Sequence, residues 1–154
     1  MITSVIHGTT YLDVWSGTNT IALNANQFIG KVDIFAEVGN DTIILTNTFF
    51  NRTISISSFY IDNGNDTITV RGNTISERIY ISTQGGNDTV VVEANRIVTA
   101  AIYSGAGYDG VIVRSNIFYG HVDFVGGSEY DVLFISGNLF YSTHAIYQFE
   151  SIQA

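Results

Sequence analysis

The chain has 154 residues, 45% of them hydrophobic and only 13% charged, with no cysteine and no proline. That composition describes one domain with ample material for a core and is unlike a disordered chain. The formal net charge of −8 argues against nucleic acid or an anionic membrane as a partner. With no cysteine there is no disulfide frame and no redox compartment to read, and the lack of proline suits strands that donate hydrogen bonds on both edges.

Residues 1–16 come first. Met1 is followed by Ile-Thr-Ser with no basic stretch and no long apolar run, so no classical signal peptide and no membrane span are expected. Localisation stays open, with an extracellular or virion-associated setting reached by another route as the expectation. Val5, Ile6, Leu12, Val14 and Trp15 read as a partial coil that covers the first full coil. Residues 17–147 are a repeat. Residues 148–154 form a short apolar tail that either folds over the last coil or is covered by a partner.

The repeat is clearest from Asp66. Ile68 and Val70 follow at alternate positions, then Asn73, Ile75, Ile79 and Ile81, before Gly86-Asn87-Asp88 starts the next unit. The equivalent of Asp66 is Asn19, Asp41, Asp88, Asp109 or Asp131, at successive spacings of 22, 25, 22, 21 and 22 along the chain. The asparagine column reads Asn26, Asn47, Asn73, Asn95, Asn116 and Asn138, with Asn47 one place early. The last two apolar columns pass through Ala101 and Tyr103 in one unit, and His144 falls in the final unit of the first of them. The unit from Asp41 is longer than the others, and a loop there is expected to project Phe59 or Tyr60.

Each unit holds three short apolar pieces with period-two alternation, the pattern of a strand buried on one face. Three strands per roughly 22 residues is one coil of a three-faced parallel β-helix, in which each strand pairs with its counterpart about 4.8 Å along the axis. A single coil cannot bury its apolar side, so stacking makes the core. The expected fold is all-β: a β-solenoid of six to seven coils, on the order of 30 Å long at that spacing.

Units such as Asp66 to Ile81 resemble the parallel β-helix repeat of pectate-lyase-like proteins. The resemblance implies a right-handed coil and an internal ladder of Asn26, Asn47, Asn73, Asn95, Asn116 and Asn138. It says little of function, because that superfamily includes lyases, hydrolases, phage tailspikes and adhesins. The turns before each Asp are in part similar to the calcium-binding nonapeptide of repeats-in-toxin proteins. Ser104-Gly105-Ala106-Gly107-Tyr108-Asp109 and Gly126-Gly127-Ser128-Glu129-Tyr130-Asp131 carry that similarity. This chain has one such turn per coil where the toxin roll has two.

Five constellations are candidates for chemistry. Asp41, Asp66, Asp88, Asp109 and Asp131 stack at about coil spacing. They either cap their own turns or hold calcium between turns. The asparagine column is expected to be structural. Thr20, Thr42, Thr67 and Thr89 form an outward column read as ordinary strand propensity. Ile44, Val91, Ile112 and Phe134, with Ile117, Leu139, Tyr119 and Tyr141, point outward. A patch of that kind marks a partner surface, either an oligomer or filament contact or, through the tyrosines, a carbohydrate. Last, Lys31, Asp33, Arg78, Tyr80, His121 and Asp123 are the outward positions on the strand where lyases of the resembled fold work. His121 and Asp123 are the pair suited to acid–base catalysis. The leading expectation is a non-enzymatic structural or binding module that self-associates. A calcium-binding repeat and a small polysaccharide lyase or glycosidase are the alternatives.

Overall fold

Alternation along the chain becomes strand faces. In Thr89–Glu93, Val90 and Val92 are wholly buried while Thr89 and Val91 face outward. The structure, a computed structural model, describes residues 4–57 and 63–154; the loop expected to project Phe59 or Tyr60 lies outside them. Among the described residues all regular structure is β, and there is no helix long and apolar enough to cross a membrane.

The chain winds through seven coils with three strand positions each. The first is β1 (Ser4–Ile6), β2 (Thr10–Ser16) and β3 (Thr20–Asn24), and the second is β4 (Asn26–Phe28), β5 (Val32–Val38) and β6 (Thr42–Thr46). The third is β7 (Phe49–Phe50), β8 (Ile54–Ser57) and β9 (Thr67–Arg71). In the fourth and fifth the first two positions fuse, giving β10 (Thr74–Ser82) with β11 (Thr89–Glu93), then β12 (Arg96–Ala106) with β13 (Gly110–Arg114). The sixth is β14 (Ile117–Phe118), β15 (Val122–Ser128) and β16 (Val132–Ser136), and the seventh is β17 (Leu139–Phe140), β18 (His144–Tyr147) and β19 (Ser151–Gln153). Third-position strands build a seven-stranded sheet from β3 to β19, and the other two positions share a twelve-stranded sheet. Every pairing is parallel and like sits on like, as in Ile68↔Val90 and Val90↔Val111.

This is a parallel β-solenoid, and its interior is a set of stacked columns. Phe28 lies flat on Phe50 at 5.4 Å and Phe118 on Phe140 at 5.1 Å, with Ile75 and Ile97 continuing the same column. Leu45, Ile54, Ile79, Ile102, Val113 and Phe124 show no exposed surface. In the stretch read as a partial coil, β1 pairs with β4 and β2 with β5, so both are members of the first coil. The tail likewise continues the winding, β19 pairing with β16.

Two column assignments differ from the sequence reading. Ile79 pairs with Ala100 and Ile81 with Ile102, so Ala101 and Tyr103 lie on the alternate face. β10 spends one more residue than β12 between Ile75 and Arg78, and the register slips there. His144 keeps its column, opposite Val122, but belongs to the last coil. It is exposed and stacks on Phe140 at 4.4 Å rather than being buried.

The corner between the third strand and the next coil turns on one residue with φ near the left-handed value. Ala25 (55°), Asn47 (51°), Gly72 (68°), Ala94 (56°), Ser115 (57°) and Gly137 (60°) fill that column. An L-residue there costs about 1–2 kcal/mol, against about 0.4–1 kcal/mol of extra unfolded-state entropy for glycine. Ala94 is exposed, so Ala94→Gly loses no packing. The expected result is a gain of up to about 1 kcal/mol, read as a melting temperature higher by about 2–4 °C.

Candidate functional site

The Asp corner is the most ordered polar feature of the molecule. Asp41, Asp66, Asp88, Asp109 and Asp131 are all buried, Asp131 completely. Each Oδ1 accepts the backbone N–H of its counterpart one coil earlier. The donors and acceptors are Asn19 to Asp41 (2.8 Å), Asp41 to Asp66 (2.8 Å) and Asp66 to Asp88 (2.7 Å). Asp88 donates to Asp109 (2.8 Å), Asp109 to Asp131 (3.0 Å), and Asp131 to Glu150 Oε2 (2.7 Å). The bonds cross between coils instead of closing each turn on itself. Glu150, which the sequence reading left in the tail, takes the Asp place in the seventh coil.

The second carboxyl oxygens of Asp41, Asp88, Asp109 and Asp131 are buried without a hydrogen-bond partner. Desolvation pushes Asp88 up to about 7, and the neighbouring charges of Asp109 and Asp66 add to it. Burial likewise raises Asp131 to about 6 and moves Asp109 upward. Among the described residues no three His, Asp or Glu side chains gather as metal ligands would. The carboxyls of this column face the interior and the neighbouring backbone, so the structure presents them as a hydrogen-bond ladder.

A second ladder occupies the next corner. Asn73, Asn95 and Asn116 are buried. Asn95 Oδ1 accepts the Asn73 backbone N–H at 2.8 Å, Asn116 Oδ1 that of Asn95 at 3.0 Å, and Asn138 Oδ1 that of Asn116 at 2.9 Å. Their amide nitrogens donate back to the carbonyls of Leu45, Val70, Val92 and Val113. Asn47 is not a member. Thr48 stands in its place, buried, its N–H donating to Asn73 Oδ1 at 2.9 Å and its hydroxyl accepting from the Asn26 N–H at 3.4 Å. The reason is conformational: Asn47 occupies the left-handed corner position, which asparagine tolerates better than threonine.

The sequence reading missed a third, external ladder. Asn40 Oδ1 accepts the Asn65 N–H (2.8 Å), Asn65 Oδ1 the Asn87 N–H (2.7 Å), and Asn87 Oδ1 the Tyr108 N–H (2.9 Å). The signal was present in the repeated Gly-Asn-Asp, whose middle residue recurs in three successive turns as Asn40, Asn65 and Asn87.

His121 and Asp123 do meet. His121 Nε2 lies 2.9 Å from Asp123 Oδ1, and its Nδ1 lies 2.7 Å from Thr143 Oγ1, a residue the sequence reading did not select. The trio sits on an open strand surface, with the His121 side chain half exposed. Lys31 and Asp33 form an ion pair at 2.8 Å, and the Arg78 guanidinium rests 5.6 Å from the Tyr80 ring centre. These pairs are spread over several coils of one face rather than converging on a point.

The outward apolar residues fall into two places. Ile44, Val91, Ile112 and Phe134 share one column of the seven-stranded sheet with Ala22 and Thr69. Ile117 pairs with Leu139, and Tyr119 stacks parallel on Tyr141 at 5.6 Å beside them. At both ends of the solenoid the interior columns themselves come to the surface. Ile6, Leu12, Val14, Ile21 and Leu23 at one end, and Ile135, Phe140, Ile146 and Phe149 at the other, are only partly buried. Among the described residues nothing pairs with the outer edges of β1, β2 and β3 or of β17, β18 and β19. No protein-family model matches the chain, and the searches of curated proteins and of solved structures return no match.

Proposed function

We propose that this chain is a non-enzymatic structural module, a rod that self-associates by stacking further copies on its coil ends, as a component of a surface, adhesin or fibre assembly. The observation that carries this is the pair of end coils. Each presents three strand edges and a half-buried interior column, in the arrangement that every internal coil offers its neighbour. Placing the seventh coil of one copy on the first coil of another continues the columns, with Phe140 over Ile6, Ile146 over Leu12 and Ile152 over Ile21. An uncovered strand edge is a template for pairing, and a head-to-tail contact that does not close makes an open filament. The outward column of Ile44, Val91, Ile112 and Phe134 supplies a lateral contact between such rods.

The test is solution mass by light scattering over a range of concentrations. The wild type is expected to grow in mass as concentration rises. Ile152→Lys places a charge on the seventh coil at a side chain already 52% exposed, so it should leave the fold intact and return the mass to one chain. Phe134→Lys on the lateral column should shorten assemblies without abolishing them. A wild type that stays at one chain at 0.1 mM, roughly the weak end of specific association, sinks the proposal.

A further inference from the structure

We propose that the carboxyls of Asp88, Asp109 and Asp131 are carried in the folded solenoid as neutral acids, which makes the Asp corner a proton-dependent device: the coils hold together tightly in acid and loosen as the pH rises towards neutrality. This device is separate from assembly and does not depend on it.

Hydrogen-bond capacity points to the protonated form. An ionised carboxylate only accepts, whereas a protonated one also donates. In this column Oδ1 already accepts a backbone N–H from the coil before, and Oδ2 is the atom left buried without a partner. The side chains facing it from the strand across the corner are Thr83 for Asp88 and Ser104 for Asp109. Thr83 Oγ1 donates to the Ser104 carbonyl and Ser104 Oγ donates to the Gly126 carbonyl. With those protons committed to carbonyls, a protonated carboxyl is the group that supplies a donor in the corner. Either hydroxyl turned to its carboxyl instead favours the charged form, and burial outweighs that effect. At Asp131 the corresponding place is Gly126, which has no side chain, and Oδ2 lies 2.8 Å from where a Cβ on that glycine would stand.

The electrostatics act the same way. The charged groups that bear on the column are all acidic: Asp66 and Asp109 on Asp88, Glu129 on Asp109, and Asp109, Glu150 and Glu129 on Asp131. Stacked like charges in a dry corner disfavour joint ionisation. The first coil provides an internal precedent, because Asn19, a neutral isostere of protonated aspartate, occupies this column and passes its N–H to Asp41.

The sign follows from linkage. The folded state holds these protons to a higher pH than the unfolded chain, whose aspartates titrate near 3.9. The stability that these three groups contribute is therefore fully present below about pH 4 and is lost as pH rises through the folded values of about 6 for Asp131 and about 7 for Asp88.

The experiment is thermal melting of the full chain between pH 4.5 and 8, with Asp88→Asn and, as control, Asp13→Asn at an exposed site. Both variants remove one negative charge. The wild type should melt several degrees lower at pH 8 than at pH 4.5. Asp88→Asn should raise the melting temperature at pH 8 more than Asp13→Asn does and flatten the pH dependence. Asp88→Asn melting below the wild type at pH 8 only, or a wild type that gains stability across this range, overturns the proposal. So does added calcium that restores the acid melting temperature at pH 7.5, since the column would then be an ionised cation site. Should Asp88→Asn fail to fold, the side-chain carboxyl carbon shifts of the wild type decide. A midpoint above about 5.5 for at least one of the three carries the proposal, and ordinary midpoints near 3.9 for all of them overturn it.

Discussion

Asn95→Ala is expected to cost about 3–6 kcal/mol, a large fraction of a total that is on the order of 10 kcal/mol for a chain of this size. Asn95 Oδ1 accepts the Asn73 N–H at 2.8 Å and the Asn73 amide at 3.2 Å; its own amide donates to the Val70 carbonyl at 2.8 Å and to Asn116 Oδ1 at 3.0 Å. Truncation leaves the Asn73 N–H buried with nothing to bond, at about 1–3 kcal/mol, and takes from the Val70 carbonyl its side-chain donor, at about 0.5–1.5 kcal/mol. The lost side-chain volume adds a cavity term. Asn116 Oδ1 keeps the Asn95 N–H, so damage is confined to one corner. Asn47→Ala is the matched control. Asn47 belongs to the same sequence column but is exposed, with one long contact to Asn24 at 3.4 Å, and its loss should cost less than about 1 kcal/mol. Urea unfolding of the two variants separates them: the midpoint should fall sharply for Asn95→Ala and barely move for Asn47→Ala. Equal losses would mean that the ladder is not what holds the corner.

The solenoid and its period were legible because the information is redundant. Each column is written once per coil, and a strand with one buried face repeats at two residues however the turns vary. What failed were single-residue phases. Around Ala100-Ala101-Ile102-Tyr103 every position is apolar, so alternation does not say which face is inward, and pairing with Ile79 and Ile81 decides it. In Thr46-Asn47-Thr48 three polar residues in a row offered two candidates for the ladder, and the choice rests on which one takes the left-handed backbone. The Asp column was legible as a column, yet its burial and inward aim were not. A Gly-Asn-Asp turn reads as surface chemistry, and only the coil above shows that its N–H groups collect the carboxyls. Thr143 beside His121 lies one coil further along the chain, a spacing that the repeat itself would have supplied.

A glycine stands two places before Asp41, Asp66, Asp88 and Asp109, and Glu129 takes that place before Asp131; this column carries the other large prediction, Gly107→Ala. Gly107 has φ +133°, a conformation that L-residues rarely adopt, and a Cβ there would stand 1.8 Å from the Gly86 carbonyl oxygen and 3.2 Å from Asn87 Oδ1. The first obstacle is backbone, which cannot swing aside as a side chain would, so the two corners must separate. Separation breaks the Asp88 N–H bond to Asp109 and the Tyr108 N–H bond to Asn87, which belong to the two ladders running through this turn. Backbone strain of about 1–3 kcal/mol joins the loss of two interlocking hydrogen bonds, one of them to a buried carboxyl, at about 1–3 kcal/mol each. The expected outcome is destabilisation by 4 kcal/mol or more, roughly the sum of those effects. Gly110→Ala, three residues on, is the comparison. An added Cβ there meets nothing within 4 Å, and its register partner one coil earlier is Thr89. Alanine at Gly110 should be neutral or gain about 0.4–1 kcal/mol by restricting the unfolded chain. Two substitutions of the same kind, three residues apart, should thus act differently on the urea midpoint, with a large fall for Gly107→Ala and no fall for Gly110→Ala. If they move it alike, the close approach of Gly107 to the coil below is not what sets the spacing of the rod.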